Sequence, residues 1–358
     1  MNLGDLADRV CEWLDGSGPQ AEIVLSSRIR LARNVAGVPF PHRADDVQRQ
    51  RVYRRLMDAA RRVPELGSAT EWDLESLAPE ARRVLVERHL ATARLASGMG
   101  ARGVLAAPGE GLAALVNEED HLRIQAVRSG LNLASSLEQA VAVDRGIEGQ
   151  VEFAASDELG YLTACPTNVG TGLRASVLIH LPALVLAGEI RKVHRAVAEM
   201  GMAVRGWFGE GSAALGDFYQ LSNQRTLGRS EEKTVEDLAR VTRRVLDLEI
   251  AAREKVAGSP SRRPRMIDRV FRSYGILTHA RLLTVDQLMA CASDLRLGRW
   301  LGVLENVPEA LLNRLALLGQ PAHLGLRFGK PLEDDTEGWV RAEWVRAEFA
   351  RLPAAGAS

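Results

Sequence analysis

Cysteine is scarce in this chain of 358 residues. Cys11, Cys165 and Cys291 are the only three, far apart and in no Cys-x-x-Cys spacing. That excludes a disulfide framework and a zinc ribbon, and a reducing, cytoplasmic setting is expected. An excess of either charge is also missing, since 46 basic and 46 acidic residues cancel. Bulk electrostatic capture of nucleic acid or of an anionic membrane is not a function class for such a balance. No apolar run reaches the roughly 20 residues that a bilayer-spanning helix needs. The N-terminus lacks the basic-then-apolar order of a secretory signal. Instead Leu3, Leu6, Val10 and Leu14 read as one face of a short amphipathic leader helix over residues 1–20. Lysine is rare too: Lys192, Lys233, Lys255 and Lys330 are the only four, and arginine supplies the rest of the positive charge. Genome composition accounts for that bias in bulk, but guanidinium grips phosphate in bidentate fashion where lysine cannot, so individual arginines have to be weighed.

What is present is the composition of an ordinary globular protein, 46% apolar and 26% charged, long enough for a large domain and a smaller one. Gly16-Ser17-Gly18-Pro19 ends the leader, and a strand begins at Ile23. Helical patterns cover 45–63 and 79–96, and 160–164 reads as a strand. Residues 189–200 form a helix stopped by Gly201, and 203–208 are again a strand. Strands and helices alternate without a regular βαβ beat, which predicts an α+β fold. From Val235 onward Leu238, Val241, Val245, Leu248, Ala252 and Val256 share one helical face, and Gly258 supplies a stop. Ser259-Pro260-Ser261-Arg262-Arg263-Pro264 reads as a linker over 258–265. Beyond it lie a capping box at Thr284–Gln287 and a helix over 308–318 with proline before it and Gly319 after. The expected organisation is therefore an α+β unit over 21–257 and an all-helical unit over 266–358.

Two stretches invite chemistry. Asn117-Glu118-Glu119-Asp120-His121-Leu122-Arg123 places three acids side by side at a strand end, where they attract cations and raise one another's proton affinity. Gly170-Thr171-Gly172-Leu173-Arg174-Ala175 fits the dinucleotide fingerprint G-x-G-x-x-A. Pro166, Asn168 and Pro182 speak against that reading, and the turn is more simply an anion cradle of backbone N–H groups and guanidinium. No G-x-x-x-x-G-K-[ST] loop is present. Arg28, Arg30, Arg123, Arg174 and Arg205 all fall near predicted strand ends, as a polyphosphate site without a P-loop requires. Glu119 and Glu210 stand near these arginines and could grip a planar cation, one of them accepting its proton. Cys165 is equally well a small buried residue or a thiolate in a basic pocket.

These stretches resemble signatures of the ATP:guanido phosphotransferases, as do Ser26-Ser27-Arg28-Ile29-Arg30 and Leu221-Ser222-Asn223-Gln224-Arg225-Thr226-Leu227-Gly228. The four matches occur in the family's order over residues 23–232. Only a short leader precedes Ser26, and a helical unit follows the catalytic part. That layout, with Arg205-Gly206-Trp207-Phe208-Gly209-Glu210, is similar to the bacterial protein-arginine kinases of the McsB type. The resemblance implies a guanido-kinase catalytic domain with a mainly antiparallel sheet flanked by helices, and a C-terminal helical domain for dimerisation and regulation. It implies transfer of the γ-phosphoryl group of ATP, with Mg²⁺, to arginine side chains of proteins.

Carried over by residue, the resemblance puts ATP contacts on Ser26, Ser27, Arg28, Ile29, Arg30, His89, Arg123, Arg174, Ala175, Ser176, Val177, Leu178, Arg205, Gly206, Trp207, Phe208, Gly209 and Glu210. The guanidinium-gripping acids fall on Glu119, as base, and Glu210, and the active-site cysteine on Cys165. Magnesium would be bridged by phosphate oxygens, since the chain offers no all-protein cage. The resemblance further implies protein partners: a transcriptional repressor and misfolded proteins as substrates, a Clp-type protease reading the mark, an activator protein, and a second copy in a homodimer. One segment departs from the family. Its phosphoarginine pocket uses R-D-x-x-R-A, whereas this chain reads Glu337-Gly338-Trp339-Val340-Arg341-Ala342, keeping only Arg341 and Ala342. Three readings compete with protein-arginine transfer: a small-molecule guanidino kinase, a guanidino-modifying hydrolase using Cys165 with His121, and a degenerate kinase serving as an adaptor.

Overall fold

The computed structural model describes residues 3–207, 214–329 and 332–352. The leader is not a helix. Its two 3-10 turns, Leu3–Leu6 and Glu12–Leu14, are separated by an irregular strap. The reason lies in its carbonyls, which are claimed by distant side chains rather than by the next helical turn. Arg88 takes those of Leu6 and Arg9, Arg327 that of Ala7, Arg314 that of Asp8 and Asn313 that of Leu14.

The body follows in the order β1 (Val24–Arg33), α1 (Asp46–Arg61), β2 (Thr70–Asp73), α2 (Pro79–Glu87), α3 (Ala93–Ser97), β3 (Gly103–Ala106), β4 (Leu112–Val116), β5 (Leu122–Ser129) and α4 (Leu133–Glu148). A small ribbon, β6 (Ala155–Ser156) and β7 (Gly160–Tyr161), leads to β8 (Leu173–His180), α5 (Pro182–Leu186), α6 (Ile190–Glu199), β9 (Met202–Arg205), β10 (Phe218–Asn223) and α7 (Glu231–Ala257). Eight strands form one antiparallel sheet in the order β2-β3-β4-β5-β1-β8-β10-β9. The expected α+β class is what the molecule has. The glycine turn at 170–172 opens strand β8, not a helix, which disposes of the dinucleotide fingerprint. Gly172 has φ +65°, and a Cβ there would lie 2.5 Å from the Ala32 carbonyl oxygen.

Because side chains alternate across a strand, the central strands sort into two sets. Ile29 and Leu31, Ile124 and Ala126, Ala175 and Val177, and Leu221 face α1, α4 and α7 in the largest apolar core. The opposite face carries Arg28 and Arg30, aligned by register with Val127 and Gln125 on one side and with Ser176 and Arg174 on the other. A one-residue slip of β1 would exchange the faces and bury Arg28 and Arg30 among apolar side chains.

The helical pattern at 79–96 breaks where His89 adopts φ +58°, and the chain reverses so that the His89 carbonyl accepts from Gln125 Nε2 at 2.7 Å. The linker is shorter than expected. α7 ends at Ala257, and α8 (Arg262–His279) begins four residues beyond Gly258. Pro264 sits in the first turn of α8, where a missing N–H is harmless. α9 (Val285–Trp300), α10 (Glu309–Leu318), α11 (Pro321–Phe328) and α12 (Asp334–Ala350) complete the chain. The Thr284 capping box forms as read. These helices do not enclose a separate core. Leu288, Leu295, Leu312, Leu315 and Trp344 belong to one cluster with Leu25, Val127, Leu178, Trp207 and Phe218 of the α+β unit. Trp344 and Phe349 are thus internal, while Trp339 is 57% exposed.

Candidate functional site

The polar face of the sheet floors a cleft of about 900 Å³, walled by residues 91–94, the β4–β5 hairpin and the turn at 165–168. Arg28, Arg30, Arg123, Arg174 and Arg205 line it together. Arg28 and Arg30 are half-buried, and among the described residues neither has a carboxylate partner. Burial and then the neighbouring Arg123 push the Arg28 guanidinium down to about 10. Arg30 is driven well below its ordinary value by burial, then by Arg28, Arg123 and Arg174, and its Nε has no hydrogen-bond partner among the described residues. Folding has thus concentrated like charges in a place poor in water, an arrangement that an anion entering the cleft would relieve. Arg174 is steadied by donating to the Asn223 carbonyl at 2.9 Å, and Arg205 pairs in register with Gln220.

The acidic run forms the β4–β5 hairpin, and its members separate by role. Asn117 takes φ +59° and donates through Nδ2 to the carbonyls of Arg49 and Ala101. Glu118 is inward, pairing with Arg123 and accepting from Thr92 Oγ1 at 2.7 Å. Glu119 faces the cleft with its side chain 26% exposed, one carboxylate oxygen 3.8 Å from Arg123 Nη2 and the other 3.8 Å from Arg94 Nη1. Asp120 is buried and accepts from both Asn34 Nδ2 (2.6 Å) and the Ala164 backbone N–H (2.7 Å). His121 accepts from the Val35 N–H at Nδ1 and donates from Nε2 to the Pro39 carbonyl. Its burial lowers the imidazole pKa to about 4, so it is a neutral structural group. Cys165 contacts Thr167 Oγ1 at 3.0 Å and not His121, which removes the geometric ground for a Cys–His hydrolase. The bond from Asp120 to Ala164 holds the Cys165 turn against the hairpin that carries Glu119.

Beside the cleft, a narrow slot is lined by Trp13, Ser26, Arg28, His89, Ser176, Leu178 and Trp207. The His89 ring lies 5.4 Å from Trp13 and 6.2 Å from Trp207, centroid to centroid. Burial and then the charges of Arg28 and Arg30 depress its pKa to about 3. Of the expected nucleotide contacts, Ser26, Arg28, Arg30, His89, Arg123, Arg174, Ser176, Leu178, Arg205 and Trp207 therefore share one face. The side chains of Ser27, Ile29, Ala175 and Val177 do not: strand alternation sends them to the opposite side. Ser27 is spent there, donating to the Gly130 carbonyl and accepting from Asn132 N–H. Gly206 is buried, and Phe208, Gly209 and Glu210 lie outside the described residues. Thr92, Arg94, Gln125 and Gln220 also line the cleft without having been expected there, as do Gln224 and Arg225 of the 221–228 signature, to which no role was assigned. Gln125 and Gln220 carried a usable signal, being polar residues between apolar strand neighbours at register positions beside Arg30 and Arg205.

Arg341 is 1% exposed. It donates to the carbonyls of Gly319 and Leu283 and pairs with Glu337, and Ala342 is buried. The guanidinium at this departed segment is committed within the fold. Among the described residues no group of three His, Cys, Asp or Glu side chains could hold a metal ion, and no helix is long and apolar enough to cross a membrane.

Comparison with known proteins sets this geometry in a lineage. The family model of the ATP:guanido phosphotransferase C-terminal catalytic domain matches residues 51–252, and that of the protein-arginine kinase McsB C-terminal domain matches residues 263–358. The chain is similar to the protein-arginine kinase of Moorella thermoacetica, 44% identical over 334 residues that make up 92% of this chain and 95% of that protein. That of Symbiobacterium thermophilum is 42% identical over 342 residues, covering 94% and 96%. Among solved structures, lombricine kinase matches with a TM-score of 0.58 at 28% identity, over 70% of this chain and 71% of that one. The duplicated taurocyamine kinase from Schistosoma mansoni matches with a TM-score of 0.57 at 26% identity, over 70% and 35%.

Proposed function

The chain belongs to the ATP:guanido phosphotransferase family, and from that membership we propose that it transfers the γ-phosphoryl group of ATP to arginine side chains of proteins. The observation that carries the reading is the juxtaposition of Arg28 and Arg30, without carboxylate partners among the described residues, with Glu119 across one cleft. A polyphosphate answers the first and a guanidinium the second. The helical unit over 262–350, matched by a protein-arginine kinase model, favours a protein as acceptor over a free metabolite.

A guanidinium is a poor nucleophile until it loses a proton, and its ordinary pKa is above about 12. Glu119 orients the target guanidinium and accepts that proton as the nitrogen attacks the γ-phosphorus; Glu210 is its partner in the same grip. Arg28, Arg30, Arg123, Arg174 and Arg205 hold the phosphates and spread the charge of the transition state, so that positioning and electrostatics do nearly all the catalysis. Glu118 keeps Arg123 aimed. Cys165 lies at the acceptor end, where it tunes the target nitrogen without forming a bond. Trp13, His89 and Trp207 line the slot that takes the nucleotide's flat end. Magnesium arriving with the nucleotide would supply further neutralisation of the polyphosphate charge beside these arginines. A role in stress response, a Clp-type protease as reader of the mark, an activator and a homodimer follow from the family resemblance and belong to the same proposal.

The test is Glu119→Gln. The variant should still bind ATP but lose transfer to an arginine-rich protein, and full activity would remove Glu119 from its role. The wild-type product should lose phosphate in mild acid, as a phosphorus–nitrogen bond does. An acid-stable product would refute the acceptor class. Transfer to free guanidino compounds but not to protein would move the enzyme to the metabolite kinases.

A further inference from the structure

Arg94 stands at the outer edge of the cleft. The backbone that carries it is fixed: Thr92 Oγ1 accepts from the Leu95 N–H at 3.1 Å and donates to Glu118 at 2.7 Å, Leu95 is buried, and the Leu95 carbonyl accepts from Arg102 Nε at 2.8 Å. The Arg94 side chain is by contrast 61% exposed, with Nη1 3.8 Å from Glu119 Oε1. Glu119 therefore stands between two guanidiniums. Arg123, on the inner side, is 12% exposed and tied to Glu118; Arg94, on the outer side, is held by little else. A target guanidinium approaching Glu119 must displace Arg94, and the two like charges then sit side by side.

We propose that Arg94 selects substrates, favouring target arginines flanked by an acidic residue and rejecting those flanked by a basic one. This rests on Glu119 gripping the target. When an Asp-Arg or Glu-Arg segment enters, the exchange is one for one: Glu119 passes from Arg94 to the target guanidinium, and Arg94 passes from Glu119 to the flanking carboxylate. An exposed pair is weak enough to be traded in this way. A basic flank offers Arg94 no new partner and adds repulsion. Arg225, which lines the same cleft, reinforces the bias. Glu118, committed to Arg123 and Thr92, does not counter it.

The experiment uses the full chain, saturating Mg²⁺-ATP and three peptides that differ only in the residue beside one arginine: Glu, Gln or Lys. At low salt kcat/KM for the Glu peptide should exceed that for the Lys peptide by about tenfold, the ratio shrinking toward unity as salt screens exposed charges. Arg94→Ala should bring the ratio close to one and raise turnover of the Lys peptide, and Arg94→Glu should invert the order. A ratio near one in the wild type, or a preference that survives Arg94→Ala at an unchanged melting temperature, would overturn the inference while leaving the kinase reading intact. If none of the peptides acquires acid-labile phosphate, the kinase reading falls and this inference with it.

Discussion

Two groups of inward-facing arginines in this molecule have opposite surroundings. Arg88, Arg253 and Arg341 are sealed and matched: Arg88 with Glu110, Arg253 with Glu249, and Arg341 with Glu337. Arg28 and Arg30 face the cleft, crowd one another, and lack such partners among the described residues. The first group follows the rule that a buried charge is kept only when paired. The second departs from it in the one place where a polyanion is proposed to complete the pairing. The comparison separates arginines that hold the fold from arginines that wait for a ligand, a distinction that arginine content alone cannot make.

The sharpest way to break it is Arg30→Met. Removing a crowded, unmatched cation should cut kcat/KM by about a thousandfold, the scale of one transition-state arginine. The melting temperature should hold or rise, because repulsion is relieved. A large loss of stability would return Arg30 to the structural group. The converse is Arg253→Met, which strands Glu249 in the core. It should cost about 3–5 kcal/mol in a urea titration, while the folded fraction keeps its turnover; a neutral effect would dissolve the distinction from the other side.

A smaller effect is set by pH. His89 and His121 are held neutral in the fold at about 3 and about 4, whereas an unfolded histidine takes a proton near its ordinary value of about 6.5. Because the folded values are depressed, their stability contribution is complete above about 6.5 and is lost as pH falls below it, by up to about 1.4 kcal/mol per unit for each group. Melting curves between pH 7 and 4.5 should show that decline. The Arg30→Met variant should soften it, since the Arg30 charge helps to depress His89 but not His121. An identical pH slope in the variant would mean that the cleft cations do not reach the slot.

Much of this was legible from the chain itself, for reasons that differ by element. α1 and α7 announce themselves by their helical patterns and α9 by its capping box, and local signals of that kind survive folding. The five arginines could be grouped because they share short polar segments with the family signatures, and strand alternation then placed them on one face. The strap at 3–14 could not be read, since its apolar spacing is helical but its carbonyls are drawn away by Arg88, Asn313, Arg314 and Arg327 from far along the chain. The break at His89 was equally hidden, because nothing nearby shows that its carbonyl meets Gln125. The acidic run looked uniform and is not: Glu118, Glu119 and Asp120 meet Arg123, the cleft and Ala164 respectively, and only long-range contacts tell them apart.

That last contact has a kinematic meaning. Asp120 follows Glu119 directly, and Ala164 precedes Cys165 directly, so one short hydrogen bond couples the backbones that carry the proposed base and the thiol. If the cleft is pictured as a pair of jaws, both groups ride on the same jaw. The same Asp120 carboxylate also accepts from Asn34 at the end of β1, so this jaw is tied to the phosphate-holding floor and the spacing between acid and thiol is set by the fold itself.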